Sequence, residues 1–311
     1  MNQNTKILIG TRGSPLALIQ AETVKAALAA AHPEIAQRLA IEVITTTGDR
    51  VRDRALSEIG GKGLFTKEIE EALLDGAIDL AVHSMKDMPT WQPDGLAIVC
   101  QLPREDPRDA LIATTARSLD ELAPGAVIGS ASLRRKSQLL MRRPDLNVVL
   151  FRGNVETRLA KLEAGEVDAT LLAMAGLKRL GMVERAKAVA LETDQMLPAV
   201  GQGSVCIECR AGDDATRALL APLNHAATET AVAAERAFLA VLDGSCRTPI
   251  AGHAVIEGDG IVFQGLIARP DGSEHHRAER RGPADRAAAL GRDAGEELRA
   301  LAGPGFFDGD G

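Results

Sequence analysis

The run Ile78-Asp-Leu-Ala-Val-His-Ser-Met-Lys-Asp-Met-Pro89 restricts the fold more than any other stretch of this chain. An apolar strand, Ile78–His83, passes without a spacer into ionisable side chains, and Pro89 then stops regular pairing. A buried strand whose carboxyl end carries a cation and a carboxylate is the arrangement of an α/β sheet with its site at the strand ends. The surrounding pattern agrees. Strands are expected at Lys6–Gly10, Ile41–Thr47 and Leu96–Gln101, and helices at Ser14–Ala31, capped by Ser14 with Pro15 in its first turn, and from Gly60-Gly-Lys-Gly63 through Leu74.

A second unit follows the turn-rich Pro103–Pro107. Its expected strands are Ala110–Ala113, Ala126–Gly129, Val148–Phe151 and Val167–Ala173, with helices beginning near Ser132, Asn154 and Ala175. Ser204–Cys209, after Pro198-Ala-Val-Gly-Gln-Gly203, is expected to return to the first sheet. Beyond about Asn224 the pattern changes to a helix at Thr228–Leu242, a hairpin at Ala254–Arg269 turning at Gly258-Asp-Gly260, and a helix at Ala284–Leu301. The expectation is therefore α/β with three domains: residues 1–102 plus 203–221, residues 103–202, and residues 222–311. The first two are lobes with mostly parallel sheets, and the third is smaller and α+β.

Composition narrows the function. Aromatics are 2% of 311 residues, with no Tyr and one Trp, so base-stacking platforms are not expected. The net charge of −7 argues against general nucleic-acid binding. No apolar run approaches the ~20 residues that span a bilayer, and Met1–Lys6 lacks a secretory pattern, so a cytoplasmic protein is expected. Cys206 and Cys209 are spaced as C-x-x-C, but on a strand they face opposite sides and cannot share a metal. No metal is expected.

Against the acidic total, residues 131–180 carry ten bases (Arg134, Arg135, Lys136, Arg142, Arg143, Arg152, Arg158, Lys161, Lys178, Arg179) and five acids (Asp145, Glu156, Glu163, Glu166, Asp168). That local excess points to an anionic ligand. Four expected helix starts carry hydroxyls, glycines or bases: Arg12–Ser14, Gly60–Gly63, Gly129–Arg135 and Arg152–Arg158. Free N–H groups and guanidinium forks at such places suit several carboxylates or phosphates. Asp87, beside Lys86, is the candidate for stabilising a developing positive charge or exchanging a proton with a leaving amine. His83 could carry protons, although a single strand-end histidine is more often part of the framework. Cys246, in Gly244-Ser-Cys-Arg-Thr-Pro249, is a loop thiol that Arg247 would favour as thiolate, which makes covalent attachment plausible.

Eight runs in order resemble the porphobilinogen deaminase (hydroxymethylbilane synthase) family: Thr11–Ala17, Gly60–Phe65, Asp79–Asp87, Gly129–Arg135, Arg152–Arg158, Ala175–Gly181, Leu197–Gly203 and the Gly244–Cys246 loop. The resemblance implies two lobes like those of periplasmic binding proteins plus a cysteine-bearing domain. It implies a monomeric transferase that joins four porphobilinogen molecules head to tail, with loss of ammonia, onto a dipyrromethane cofactor bound by a thioether. By resemblance Cys246 carries the cofactor and Asp87 steadies the cationic stage. Arg12, Ser14, Lys62, Ser84, Lys86, Ser132, Arg134, Arg135, Arg152, Arg158 and Arg179 would hold acetate and propionate groups, and Phe65 would pack on a ring. The rivals are a non-catalytic two-lobe carrier, which leaves Cys246 without a role, and a cysteine-nucleophile hydrolase, which needs a base that the sequence near Cys246 does not supply.

Overall fold

The computed structural model describes residues 6–50, 63–242, 248–303 and 305–306. Cys246 and Lys62 lie outside the described residues. In chain order the first elements are β1 (Ile7–Arg12), α1 (Pro15–Ala31), β2 (Leu39–Ile44), the short α2 (Thr47–Arg50), α3 (Lys67–Leu74), β3 (Leu80–Ser84) and β4 (Leu96–Gln101). Then come β5 (Asp109–Ala113), β6 (Val127–Gly129), α4 (Leu133–Arg142), β7 (Asn147–Val149), α5 (Val155–Glu163), β8 (Ala169–Ala173), α6 (Met174–Arg179) and β9 (Val189–Ala190). The last are β10 (Val205–Arg210), α7 (Asp214–Leu220), α8 (Ala226–Val241), β11 (Ile250–Glu257), β12 (Gly260–Ala268), β13 (His275–Pro283) and α9 (Ala287–Ala302).

These elements form two compact units. One takes the described parts of Met1–Arg52, Gly61–Glu105 and Ser204–Glu229; the other takes Asp106–Gly203 and the described parts of Thr230–Gly311. In the first unit the sheet order is β2-β1-β3-β10-β4, with β1 parallel to both β2 and β3 and β10 antiparallel to β3 and β4. The strand after Gly203 thus does return to the first sheet. Alternation along the strands splits the core in two. Ile7, Ile9, Leu80, Val82, Val205, Ile207 and Cys209 pack with Val24 and Leu28 of α1, while Ala81 packs with Ile69 and Leu73 of α3. His83, two residues after Ala81, therefore shares the α3 face.

In the second unit the sheet order is β7-β6-β8-β5-β9; β6 runs parallel to β7 and β8, and β5 antiparallel to β8 and β9. The same unit holds the antiparallel sheet β11-β12-β13, whose core joins Phe238 of α8, Phe263 of β12 and Leu298 of α9. Buried Glu235 of α8 accepts from the backbone N–H of Gly201 at 2.7 Å and of Ala254 at 2.8 Å, which ties the glycine-rich loop to β11.

Local features depart from the sequence reading. The helix expected to open at Gly60–Gly63 begins at Lys67 instead. Gly63 sits at φ 84° in a turn that feeds Thr66, so its glycine serves the turn rather than the helix. The strand β13 was not foreseen: its His275-His-Arg-Ala-Glu-Arg-Arg-Gly-Pro sequence buries only Ala278, as a charged edge strand does.

Candidate active site

Pairing of Ile9 with Leu80 and of Gly10 with Ala81 sets the carboxyl ends of β1 and β3 side by side. Arg12 and Asp87 therefore emerge together at the carboxyl ends of two interior strands of the first sheet. Asp87 closes a single 3-10 turn, Met85–Asp87, anchored by Met85 N–H on the Ser204 carbonyl at 3.0 Å and Met88 N–H on the Met85 carbonyl at 3.1 Å. The pocket here is lined by Arg12, Ser14, Gln20, Phe65, Ser84 and Asp87, among others.

Each lining side chain has a reason to be where it is. Arg12 donates from Nε to Asp49 Oδ2 at 3.2 Å and from Nη2 to Asp49 Oδ1 at 2.5 Å, and its Nη1 stands 3.9 Å from Asp87 Oδ2. The same guanidinium lies 4.1 Å from the centroid of the Phe65 ring. Asp49 is placed by the Thr46 hydroxyl, which donates to it at 2.8 Å. Burial pushes the Asp49 carboxyl up, but Arg12 and Thr46 outweigh it and hold the group below its ordinary value. Gly48 lets the loop close on Phe65: a Cβ there would fall 2.2 Å from the ring. Ser14 caps α1 by accepting from Ala17 N–H at 3.3 Å. Ser84 exchanges hydrogen bonds with buried Gln20 at 3.0 and 3.2 Å. Lys86 is half-buried in the Met85–Asp87 turn.

The second unit presents the cations. Ser132 caps α4, accepting from Arg135 N–H at 3.4 Å, and Asn154 caps α5, accepting from Thr157 N–H at 2.8 Å. Gly153, at φ 129°, makes the turn into that cap, and a Cβ there would meet Thr157 at 2.8 Å. Arg134 and Arg135 are buried and converge on buried Asp109. Arg134 Nη1 donates to Oδ2 at 2.7 Å, Arg135 Nη2 to Oδ1 at 2.6 Å, and further bonds reach the carbonyls of Leu197 and Leu171, each at 2.8 Å. Burial drives the Asp109 carboxyl up, and the two arginines more than reverse it, so the group sits well below its usual range.

Arg158 is different. It donates from Nε to the Gly153 carbonyl at 3.0 Å. Its pKa is nevertheless pushed down to about 10, first by burial and then by repulsion from Arg135 and Arg152. Arg158 thus feels two like charges in a half-buried setting, an electrostatic condition that favours a bound anion. Arg179 donates from Nη2 to the Gly203 carbonyl at 2.8 Å.

Several of the ten bases counted in the sequence have local work instead. Arg142 pairs with Asp120, Arg143 with Asp145, Lys178 with Asp106 and Lys161 with Glu166. Sequence reading missed Asp49, Asp109 and Gln20. Gln20 left a signal, being a polar residue in the i, i+4 row of Leu16, Val24 and Leu28. Asp49 left one also, in the polar Thr46-Thr-Gly-Asp that ends β2. Cys100 and Cys209 are buried thiols pushed up to about 12 and about 11 by burial, so neither is poised as a nucleophile.

Comparison with known proteins places this geometry in a family. A family profile described as "Porphobilinogen deaminase, dipyromethane cofactor binding domain" matches residues 7–218, and one described as "Porphobilinogen deaminase, C-terminal domain" matches residues 229–300. The chain is 59% identical over 307 residues to a chloroplastic porphobilinogen deaminase of Oryza sativa subsp. japonica, covering 97% of this chain and 86% of that one. It is 59% identical over 302 residues to the porphobilinogen deaminase of Paracoccus denitrificans, covering 97% and 96%. The enzyme of that name from Nitrobacter hamburgensis is 56% identical over 299 residues, covering 96% and 94%.

Proposed function

This chain belongs to the porphobilinogen deaminase family, and on that premise we propose that it joins four porphobilinogen molecules head to tail, releasing ammonia at each condensation and hydroxymethylbilane by hydrolysis at the end. It is a transferase of tetrapyrrole biosynthesis. The residue assignment rests on the repulsion that Arg135 and Arg152 exert on half-buried Arg158, at the Asn154-capped start of α5. Incoming carboxylates relieve that repulsion, and every pyrrole unit of porphobilinogen brings two.

A dipyrromethane fits this donor set, because it offers several carboxylates to a cluster of guanidiniums and to the capped starts of α4 and α5. Ser132, Arg134, Arg135, Arg152 and Arg158 would hold it, and Cys246 would carry it through a thioether. When bound it supplies the free pyrrole carbon to which substrate units are added. The chain's own groups do the rest. Asp87, in the turn after β3, steadies positive charge as the amine leaves, and its partly exposed carboxylate can accept from pyrrole N–H groups. Arg12, Ser14, Ser84, Lys86, Lys62 and Arg179 take acetate and propionate groups, and the Phe65 ring faces a pyrrole.

The proposal includes a cytoplasmic monomer with porphobilinogen as its only partner, and the three-domain division of residues 1–102 plus 203–221, 103–202 and 222–311. Among the described residues no helix is long and apolar enough to cross a membrane. Intact-protein mass spectrometry tests the central claim. The wild-type protein should carry an adduct of two pyrrole units that Cys246→Ala lacks; an active wild type of unmodified mass would overturn the reading.

A further inference from the structure

Behind the Asp87 pocket lies a buried acidic cluster that the proposed roles do not use. His83 is part of the pocket wall. Its Nε2 is 3.3 Å from Oε2 of Glu208 on β10, and the two side chains are 4% and 0% exposed. Glu70 of α3, also buried, completes the group. Its carboxyl is raised first by burial and further by Glu208 and Glu71, and the Thr66 hydroxyl and His83 only partly counter this. Among the described residues, His83 Nε2, both Glu208 oxygens and Glu70 Oε1 are buried without an aligned hydrogen bond.

Buried polar atoms without an aligned hydrogen bond are costly, and four in one cluster need a structural or chemical reason. Burial, with Glu208 beside it, raises the Glu70 carboxyl, so the cluster includes a group suited to holding a proton. Among the described residues, Cys206 stands opposite His83 on β10, Glu71 of α3 acts on Glu70, and Arg12, held by Asp49, lines the same pocket wall as His83 and Asp87.

Condensation poses a matching demand. The substrate's C–N bond breaks and its electron pair leaves with nitrogen; a C–C bond forms; the C–H bond at the attacked pyrrole carbon then breaks and its proton needs an acceptor. A carboxylate that steadies the cation serves best by staying ionised throughout. We propose that His83, with Glu208 and Glu70 behind it, is the proton relay of this pocket: it receives the proton freed in each condensation while Asp87 keeps its charge. His83 is then a relay and positioning residue, and this inference rests on the function proposed above.

The test uses the as-isolated protein with its adduct, in three variants: His83→Gln, Glu208→Gln and Glu70→Gln. Steady-state hydroxymethylbilane formation is followed with porphobilinogen carrying hydrogen or deuterium at its free α carbon, so that the step that loses this proton is read directly. His83→Gln should slow turnover roughly a hundredfold and bring out a deuterium isotope effect larger than that of wild type, with adduct mass and substrate affinity unchanged. Glu208→Gln should act in the same direction by a smaller factor, because the ring loses the carboxylate that positions it. Should Glu208→Gln fail to fold, Glu70→Gln must act in the same direction. Turnover within twofold of wild type with an unaltered isotope effect in His83→Gln overturns the relay, as do wild-type turnover and isotope effect in both glutamine variants. A wild-type protein that neither carries pyrroles nor releases ammonia would instead defeat the proposed function.

Discussion

Arg12 grips Asp49 with Nε and Nη2 and holds its remaining terminal nitrogen, Nη1, 3.9 Å from Asp87. The two-pronged contact fixes the plane of the guanidinium, and the third distance is too long for a hydrogen bond. Asp49 therefore acts as a stop that keeps Arg12 close to Asp87 without letting it occupy the carboxylate. Asp49→Ala removes the stop. Arg12 should close onto Asp87, and ammonia release should fall roughly tenfold, about 1.4 kcal/mol of barrier, with the circular dichroism spectrum intact. Rapid-quench measurement of ammonia release checks it; an unchanged rate would show that the brace has no bearing on the chemistry.

Asp87→Asn keeps the volume of the side chain and removes its charge. If the carboxylate steadies a cation formed only as the amine departs, substrate should still bind within a few-fold of wild type, while ammonia release drops roughly 10²–10³-fold. Equilibrium binding and single-turnover release, measured on the same preparation, separate the two. A proportional loss of affinity and rate would place Asp87 in ground-state binding instead.

The buried triad of Asp109, Arg134 and Arg135 makes stability depend on acid. Asp109 is held below its ordinary value in the folded chain, so the unfolded chain binds its proton first as pH falls. The triad's contribution is complete above the ordinary carboxylate range and is lost as pH drops through the lower, folded value. Melting temperature should therefore fall on acidification below about pH 4 more steeply in wild type than in Asp109→Asn. Asp109→Asn should itself be much less stable at neutral pH, because two buried guanidiniums lose their counter-charge. Calorimetry from pH 7 to pH 3 reads both, and parallel curves for the two proteins would sink the argument.

What the sequence could disclose was set by the range of the interactions involved. Caps act over three residues, and Ser14, Ser132 and Asn154 were legible for that reason. Burial on one face was legible for Leu80 and Val82 because strands alternate. The pairs that decide the site are distant: Arg12 meets Asp49 across 37 positions, and Arg135 meets Asp109 across 26. A window of 131–180 could count Arg134 and Arg135 but not the acid that neutralises them, so it overstated the charge on offer. Gly63 misled in the other direction, since glycine marks turns and helix starts alike. In β13 alternating charges concealed an edge strand with almost no apolar signal.

Arg158 is where binding and stability should pull apart. Its guanidinium is lowered to about 10 by burial and by Arg135 and Arg152, so folding without anions confines charges that repel. Arg158→Gln removes one of them. In a Cys246→Ala background, which lacks the covalent pyrroles, this change should raise the melting temperature by a few degrees. In the Cys246 protein it should do the reverse, because the adduct's carboxylates lose a donor and part of their stabilising linkage. Differential scanning fluorimetry of the four proteins gives the comparison directly. A drop in melting temperature in both backgrounds would mean that Arg158 serves as ordinary framework, and the anion site would then have to be built from Arg135 and Arg152 without it.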